Sequence, residues 1–324
     1  MAVSSGVDLV QIDNAQVGRR IDNFLMTRVK GVPRSRWYRV LRRGEVRVNK
    51  SRVRPSYRLQ CGDLVRIPPL RCAPSVAPMY PVQERLKYLL AAVLHEDEHL
   101  MALNKPSGIA VHGGSGLSWG LIEAMRILRP ELSELELVHR LDRETSGCLL
   151  LSKRRGTLRE LHRLIRNQDV TKHYLTLLAG HLEHCWKVDV PLRKNILRSG
   201  ERVVRIDLQT GKPACTLFRP MCQLGGFTLT TAEPLTGRTH QIRVHAAQLG
   251  MPVAGDKKYG DTKVNCHLWG LGLNRLFLHA STLILQPSYR DRPLQIEAPL
   301  PRELETLLGS IREIDLERRR VCSR

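Results

Sequence analysis

Apolar positions in residues 19–67 change from helical spacing to alternation. Ile21, Phe24, Leu25 and Val29 recur at helical spacing within Arg19–Lys30. Trp37, Val40 and Leu41 do the same within Arg34–Arg43, where Pro33 suits a helix start and Gly44 a stop. Short alternating runs follow at Val46–Val48 and Leu64–Ile67, joined by turns at Asn49, Lys50, Pro55 and Gly62-Asp63. The pattern predicts a small module of two helices and a few strands over residues 18–70, after a tail at 1–17. Pro68-Pro69 closes it, and Cys72–Pro81, rich in Pro, Ala and Ser, reads as an extended linker within 71–84.

The larger segment, 85–311, reads differently. Short β-like runs lie at His99–Leu103, Cys148–Leu151, Tyr174–Leu178, Arg202–Leu208, Cys215–Arg219, Phe227–Thr231 and Arg275–Leu278. Helical patterns interrupt them at Leu121–Leu128, Thr157–Ile165 and Gln241–Leu249, the last ended by Gly250 and Pro252. Regular strand–helix alternation is missing, so the expectation is α+β, with a mixed, largely antiparallel sheet flanked by helices. Residues 312–324 mix Arg and Glu with little apolar content and read as a frayed helix or tail.

Charge sharpens the division. The 324 residues carry 52 Lys+Arg against 31 Asp+Glu, a formal +21. Residues 18–71 alone hold 16 basic and 3 acidic residues, net +13. A basic stretch is usually just a solvated face, but like charges at this density repel and call for a polyanion. The second helix places Arg34, Arg36, Arg39, Arg42 and Arg43 on its solvent side, which suits RNA or DNA. No apolar run approaches the about 18 residues of a membrane span, and the first twenty residues lack a signal-peptide core. The expectation is a cytoplasmic protein with no membrane partner, its eight cysteines free thiols.

Two tempting motifs fail on context. His95-Glu96-Asp97-Glu98-His99 has the H-E-x-x-H spacing of zinc proteases, which requires a continuous helix, yet Asn104–Gly108 breaks the chain just beyond. His112-Gly113-Gly114-Ser115-Gly116 is similar to an esterase oxyanion loop, but no G-x-S-x-G nucleophile accompanies it. His181, His184 and Cys185 have no second ligand pair, and no phosphate-binding glycine loop is present. No metal and no nucleotide cofactor is expected.

Residues 138–153 read V-H-R-L-D-R-E-T-S-G-C-L-L-L-S-K, a polar turn carrying Asp142 before an apolar strand. A lone Asp there is ordinarily a turn former. Its company changes the reading, because residues 237–245 read G-R-T-H-Q-I-R-V-H and residues 172–174 read K-H-Y. Together these resemble the RluA family of pseudouridine synthases. L-N-K-P-S-G-I-A-V-H-G-G (103–114), G-D-K-K-Y-G (255–260) and L-H-A (278–280) match as well. The basic module resembles an S4-type RNA-binding domain. R-R-I-D-N-F-L (19–25) and R-R-G-E-V-R-V-N-K (42–50) are especially similar to a member acting on large-subunit (23S) ribosomal RNA.

The resemblance implies a cofactor-free isomerisation of uridine to pseudouridine in RNA: the glycosidic bond breaks, the base turns, and it rejoins through carbon five. It implies Asp142 as the essential carboxylate, whether attacking ribose or base or removing a ribose proton. A buried carboxylate at work needs a cationic partner, and Arg238 is the family-matched choice, pairing through two parallel hydrogen bonds. Tyr174 matches a tyrosine that packs on the target base. Arg140 matches an arginine that helps extrude it, while His139 reads as a loop anchor. RNA contacts are expected at Arg19, Arg34, Arg36, Arg39, Arg42, Arg43, Lys50 and Arg52, and a monomer is expected. Three other readings stand beside this one: the same chemistry on transfer RNA, a non-catalytic ribosome-assembly factor, and a glycoside hydrolase. The last lacks a second carboxylate, since Glu144 is too close in sequence to Asp142.

Overall fold

The computed structural model describes residues 6–14, 16–29, 32, 34–69, 83–113, 119–196 and 202–322. The chain divides into two compact units, residues 1–79 and 80–324.

The first unit runs β1 (Asp8–Gln11), α1 (Ile21–Arg28), α2 (Arg34–Arg43), β2 (Arg47–Val48), β3 (Ser51–Arg52) and β4 (Leu64–Ile67). Its sheet is ordered β1-β4-β2-β3 and is antiparallel throughout. The helical faces foreseen in the sequence are the ones buried: Ile21, Phe24 and Leu25 from α1 pack with Trp37, Val40 and Leu41 from α2, over Val48, Val65 and Ile67. One boundary is corrected. The segment expected to be a tail at 1–17 contributes β1, whose Asp8–Gln11 pairs with Leu64–Ile67. Lys30, Pro33 and nearly all of the expected linker at 71–84 lie outside the described residues.

The second unit continues with α3 (Tyr88–Ala91), β5 (Val93–Glu96), β6 (Leu100–Lys105), α4 (Leu121–Leu128), β7 (Glu136–Leu137) and β8 (Ser146–Ser152). Next come α5 (Arg155–Asn167), β9 (Val170–Ala179), β10 (Trp186–Asp189), β11 (Leu192–Ile196), β12 (Arg202–Ile206), β13 (Cys215–Leu224) and β14 (Phe227–Pro234). It ends with α6 (Gln241–Gln248), α7 (Thr262–Gly270), β15 (Leu278–Leu285), β16 (Leu294–Glu297) and α8 (Arg302–Cys322). The main sheet is ordered β10-β13-β14-β9-β15-β8-β6-β5, with β16 on β15 and β7 on β8. Among its pairings only β15 with β8 is parallel, so the architecture is α+β with a mixed, mostly antiparallel sheet. The hairpin β11–β12 stands apart as a two-stranded sheet.

At the parallel seam two backbones approach too closely for a side chain. Gly147 has φ +109°, and a Cβ on it would lie 2.2 Å from the Ala280 carbonyl oxygen. A buried polar chain crosses the same seam. Arg275 Nη2 donates to Ser146 Oγ at 2.6 Å, and Ser146 lies 2.9 Å from His279 Nδ1. His279 Nε2 faces the Ala298 carbonyl at 3.1 Å, so it carries the proton and Nδ1 accepts from Ser146.

Two sequence expectations are corrected here. The strand expected at Arg275–Leu278 begins only at Leu278 and runs to Leu285, because the side chain of Arg275 turns into the polar chain just described. Residues 312–322, expected as a frayed helix or tail, continue α8 to Cys322, so the helix alternative holds and the boundary drawn at 311 falls inside an element. The helix is held by Leu304, Leu307, Leu308 and Ile311, buried at successive turns.

Candidate active site

Asp142 sits in the turn before β8, and that turn is fastened by the segment following β6. Lys105 is fully buried and donates from Nζ to the carbonyls of Pro106 (2.9 Å), Ile109 (2.8 Å) and Arg143 (3.1 Å). The Gly108 amide donates to the same Arg143 carbonyl at 2.8 Å, and Ser107 Oγ donates to the Glu144 carbonyl at 2.7 Å. Burial, with Arg275 adding to it, pulls the Lys105 pKa down to about 7 against the opposing pull of Glu144 and Asp142. The sequence matched N-K-P-S-G without a role; its role is to hold the residues that flank Asp142.

His139 anchors the other side of the turn. Its Nε2 accepts the Leu150 amide at 3.1 Å, and burial, then Lys172, drives its pKa down to about 3. The ring is neutral and occupied as a backbone acceptor. Arg140, two residues from Asp142, is exposed at the cavity, and its side chain makes no ion pair or hydrogen bond among the described residues.

The second motif opens α6. Gln241 is buried and uses all its polar valences: Oε1 accepts from the Arg238 amide (3.0 Å) and Thr236 Oγ1 (2.7 Å), while Nε2 donates to the Cys215 carbonyl (2.9 Å) and Thr216 Oγ1 (3.0 Å). One turn on, His245 bridges Thr216 Oγ1 and the Val190 carbonyl. These two fix one face of the helix against β13. His240 and Arg243, three residues apart, share another face and meet Asp142.

The cation brought to Asp142 is Arg243, and this corrects the expectation placed on Arg238. Arg243 Nη1 lies 3.9 Å from Asp142 Oδ2. Arg238 is exposed, before the helix begins, and its Nε donates to the Pro213 carbonyl at 3.0 Å. Arg243 is held from behind by Asp256 of the 255–260 segment, with Nε to Oδ2 at 2.6 Å and Nη2 to Oδ1 at 2.7 Å. Burial opposes charge on both partners. Their mutual bonds prevail, pushing the Asp256 pKa below and the Arg243 pKa above the ordinary value. The Lys258 and Tyr259 amides also donate to Asp256, at 2.8 and 3.0 Å.

Tyr174 lies on β9, between Ala232 of β14 and Ala280 of β15. It shares a strand face with Lys172, two residues away. Burial, then the nearby Asp142 charge and Cys148, raises the Tyr174 pKa well above the usual phenol value. Burial lowers that of Lys172. Asp142, Tyr174, Lys172, Arg140, His240 and Arg243 all line one cavity of about 470 Å³. Its rim carries Arg238 and its wall Val111, Leu278 and Ile242. It is an aromatic and apolar slot with a carboxylate at its base, large enough for a single nucleobase with part of its sugar.

Elsewhere the tempting motifs resolve. His95 lies on a strand and His99 beyond the next turn, stacked on Tyr289 at 3.9 Å; Glu96 is bound to Arg129 and Lys153. Gly113 donates its amide to Glu123, and residues 114–118 are outside the described set. Among the described residues no three His, Cys, Asp or Glu gather as a metal site, and no helix is long and apolar enough to cross a membrane.

In the N-terminal unit, Arg36, Arg39, Arg42, Arg43, Lys50 and Arg52 are exposed. Arg19 is half-buried and donates to Gln16 and Thr27. The side chain of Arg34 lies outside the described set.

Comparison with known proteins agrees with both units. The profile of a family described as RNA pseudouridylate synthase matches residues 99–248, and that of the S4 domain matches residues 19–65. The chain is 50% identical to a ribosomal large subunit pseudouridine synthase C of Pasteurella multocida (strain Pm70), over 96% of each chain. It is also 50% identical to the protein of that name from Escherichia coli (strain K12), over 94% of this chain and 97% of the other. Among solved structures, human RNA pseudouridylate synthase domain containing 4 is 28% identical with a TM-score of 0.59, over 71% of this chain and 96% of that one.

Proposed function

The chain belongs to the RNA pseudouridylate synthase family, and from that premise we propose that it converts uridines of large-subunit ribosomal RNA to pseudouridine in the cytoplasm. It is an isomerase: the bond from base N1 to ribose C1′ breaks, a bond from C5 to C1′ forms, and the C5 proton is replaced at N1. The observation that carries the site assignment is the convergence of Asp142, Arg243 and Tyr174 on one cavity.

Asp142 is the essential carboxylate in this reading. Arg243 faces it at 3.9 Å while its own charge is shared with Asp256. The attraction is therefore a single long contact, not a two-bond clamp, and leaves the carboxylate able to move onto the sugar or base. Tyr174 stands beside it, protonated, with its ring available to pack on the base and its hydroxyl close to where the C5 proton must leave. A uridine inside a stem cannot reach Asp142, so it must leave the stack at a cost of a few kcal/mol. The free, exposed Arg140 at the cavity mouth suits the place it vacates.

The exposed arginines of α2 supply phosphate contacts from the S4-type unit, which set position along the RNA and leave base choice to the cavity and RNA shape. The test is tritium release from RNA labelled at C5 of uridine, comparing ribosomal and transfer RNA transcripts with Asp142→Asn as control. Release from large-subunit RNA, abolished in Asp142→Asn while RNA binding persists, is the expected result. Release from transfer RNA alone overturns the substrate, and activity in Asp142→Asn overturns the site.

A further inference from the structure

His240 stands at the head of α6 in the left-handed region, φ +53°, where only a local requirement keeps a residue with a side chain. Its Nε2 is 3.9 Å from Asp142 Oδ2, the same oxygen that faces Arg243 Nη1 at 3.9 Å. Its Nδ1 is 2.8 Å from the hydroxyl of Tyr259, and that hydroxyl accepts the Val204 amide of β12 at 2.9 Å.

These contacts determine where the protons lie. The Val204 amide can only donate, so it occupies a lone pair of the Tyr259 hydroxyl. The one proton of Tyr259 is then best satisfied by its other close partner, His240 Nδ1 at 2.8 Å, in the accepting role. A neutral imidazole accepting at Nδ1 carries its hydrogen on Nε2. Burial keeps the ring neutral, against the pull of Asp142 and with Arg243 and Lys258 adding to the effect. An uncharged N–H thereby faces Asp142 Oδ2 across 3.9 Å, on the side that Arg243 also faces, and neither carboxylate oxygen accepts a hydrogen bond among the described residues.

We propose that His240 is a positioning residue for the isomerisation: with Arg243 it faces Oδ2 of Asp142 across 3.9 Å and closes onto that oxygen when the carboxylate engages the nucleotide, so that Oδ1 is presented to the ribose or base as the reacting atom. The tautomer that does this is set by Tyr259 and, through it, by the β11–β12 hairpin. This rests on the pseudouridine synthase reading for its kinetics, but the tautomer itself does not.

The test has two parts. In the free full-length protein, long-range proton–nitrogen correlation of ring-labelled histidine is expected to show His240 as the Nε2–H tautomer, turning into a mixture in Tyr259→Phe. In tritium-release kinetics, His240→Leu is expected to lower kcat about 10- to 100-fold with KM unchanged, the size of one hydrogen bond to a charged group formed only as the carboxylate works. His240→Gln, which restores a neutral N–H near the Nε2 position, is expected to recover most of the rate. An Nδ1–H tautomer overturns the proposal, as does full kcat in His240→Leu or equal loss in the Gln and Leu variants with folding intact. Failure of the wild type to release tritium from ribosomal RNA strikes the substrate reading instead, and the tautomer measurement still decides the arrangement at Asp142.

Discussion

Arg243 gives Asp256 two hydrogen bonds, at 2.6 and 2.7 Å, and gives Asp142 only one nitrogen, at 3.9 Å. The nearer carboxylate fixes the guanidinium plane, and the farther one is left free to react. Asp256 is therefore expected to matter for both stability and turnover. Asp256→Asn breaks a buried ion pair and costs about 3 kcal/mol, which lowers Tm by about 6–12 °C for a unit of this size. Its residual activity, measured below that Tm, is expected to be reduced in kcat. An unchanged Tm would show that Arg243 is oriented by something else.

Removal of the first unit tests the anchoring role of its arginines. A chain starting at Tyr80 keeps every residue of the cavity. It is expected to bind RNA more weakly and with a flatter dependence on salt, each lost phosphate contact removing about 0.7 from the log–log slope on single-stranded RNA. Equal slopes for the full and shortened chains would remove the S4-type unit as the electrostatic anchor.

Acid should act on the first unit through Asp22. This carboxylate is buried and bonded by Arg20 at 3.1 and 2.7 Å, by the Tyr38 hydroxyl at 2.9 Å and by the Asn23 amide. The Arg20 bond, against the opposing effect of burial, holds its pKa below the unfolded value of 3.8. A folded pKa that lies lower means that the stabilisation is complete above pH 3.8 and is lost as pH falls through the folded value. Chemical denaturation of the wild type is expected to show this fall, and Asp22→Asn to show a smaller dependence in the same window at a lower overall stability. Parallel curves would mean that Asp22 does not carry the acid response.

Much of the fold and of the site is legible in the sequence, for physical reasons. Helices α2 and α4 end where the periodicity ends, because their apolar faces are their only large burial. The Asp142 turn was legible because two long motifs had to lie together to mean anything. The choice of Arg238 failed because G-R-T-H-Q-I-R-V-H holds two arginines of equal charge, and only the helix start at Gln241 decides which one turns inward. The signal was present: Arg243 falls three residues after His240 on one helical face, and the 255–260 segment held an Asp in need of a cation. Strand β1 is illegible since Asp8-Leu9-Val10-Gln11 does not alternate apolar and polar residues, and its partner lies more than fifty residues on. Helix α8 is not separable from the mixed Arg and Glu run by period, because its last buried residue, Ile311, stands next to the boundary at 312.

The place of β15 has a consequence for how the enzyme comes into being. Strands β8 and β9 follow one another closely in sequence, yet they do not pair; β15, synthesised more than ninety residues later, is inserted between them. Until residues 278–285 arrive, no sheet hydrogen bonds join the strand behind Asp142, through β15, to the strand bearing Tyr174. A chain growing from the ribosome thus holds both halves of its active site without the strand that unites them, and pairing across such a separation is slow. Catalytic competence is therefore expected to appear late, and a chain truncated before Leu278 is expected to lack isomerase activity in the tritium-release assay.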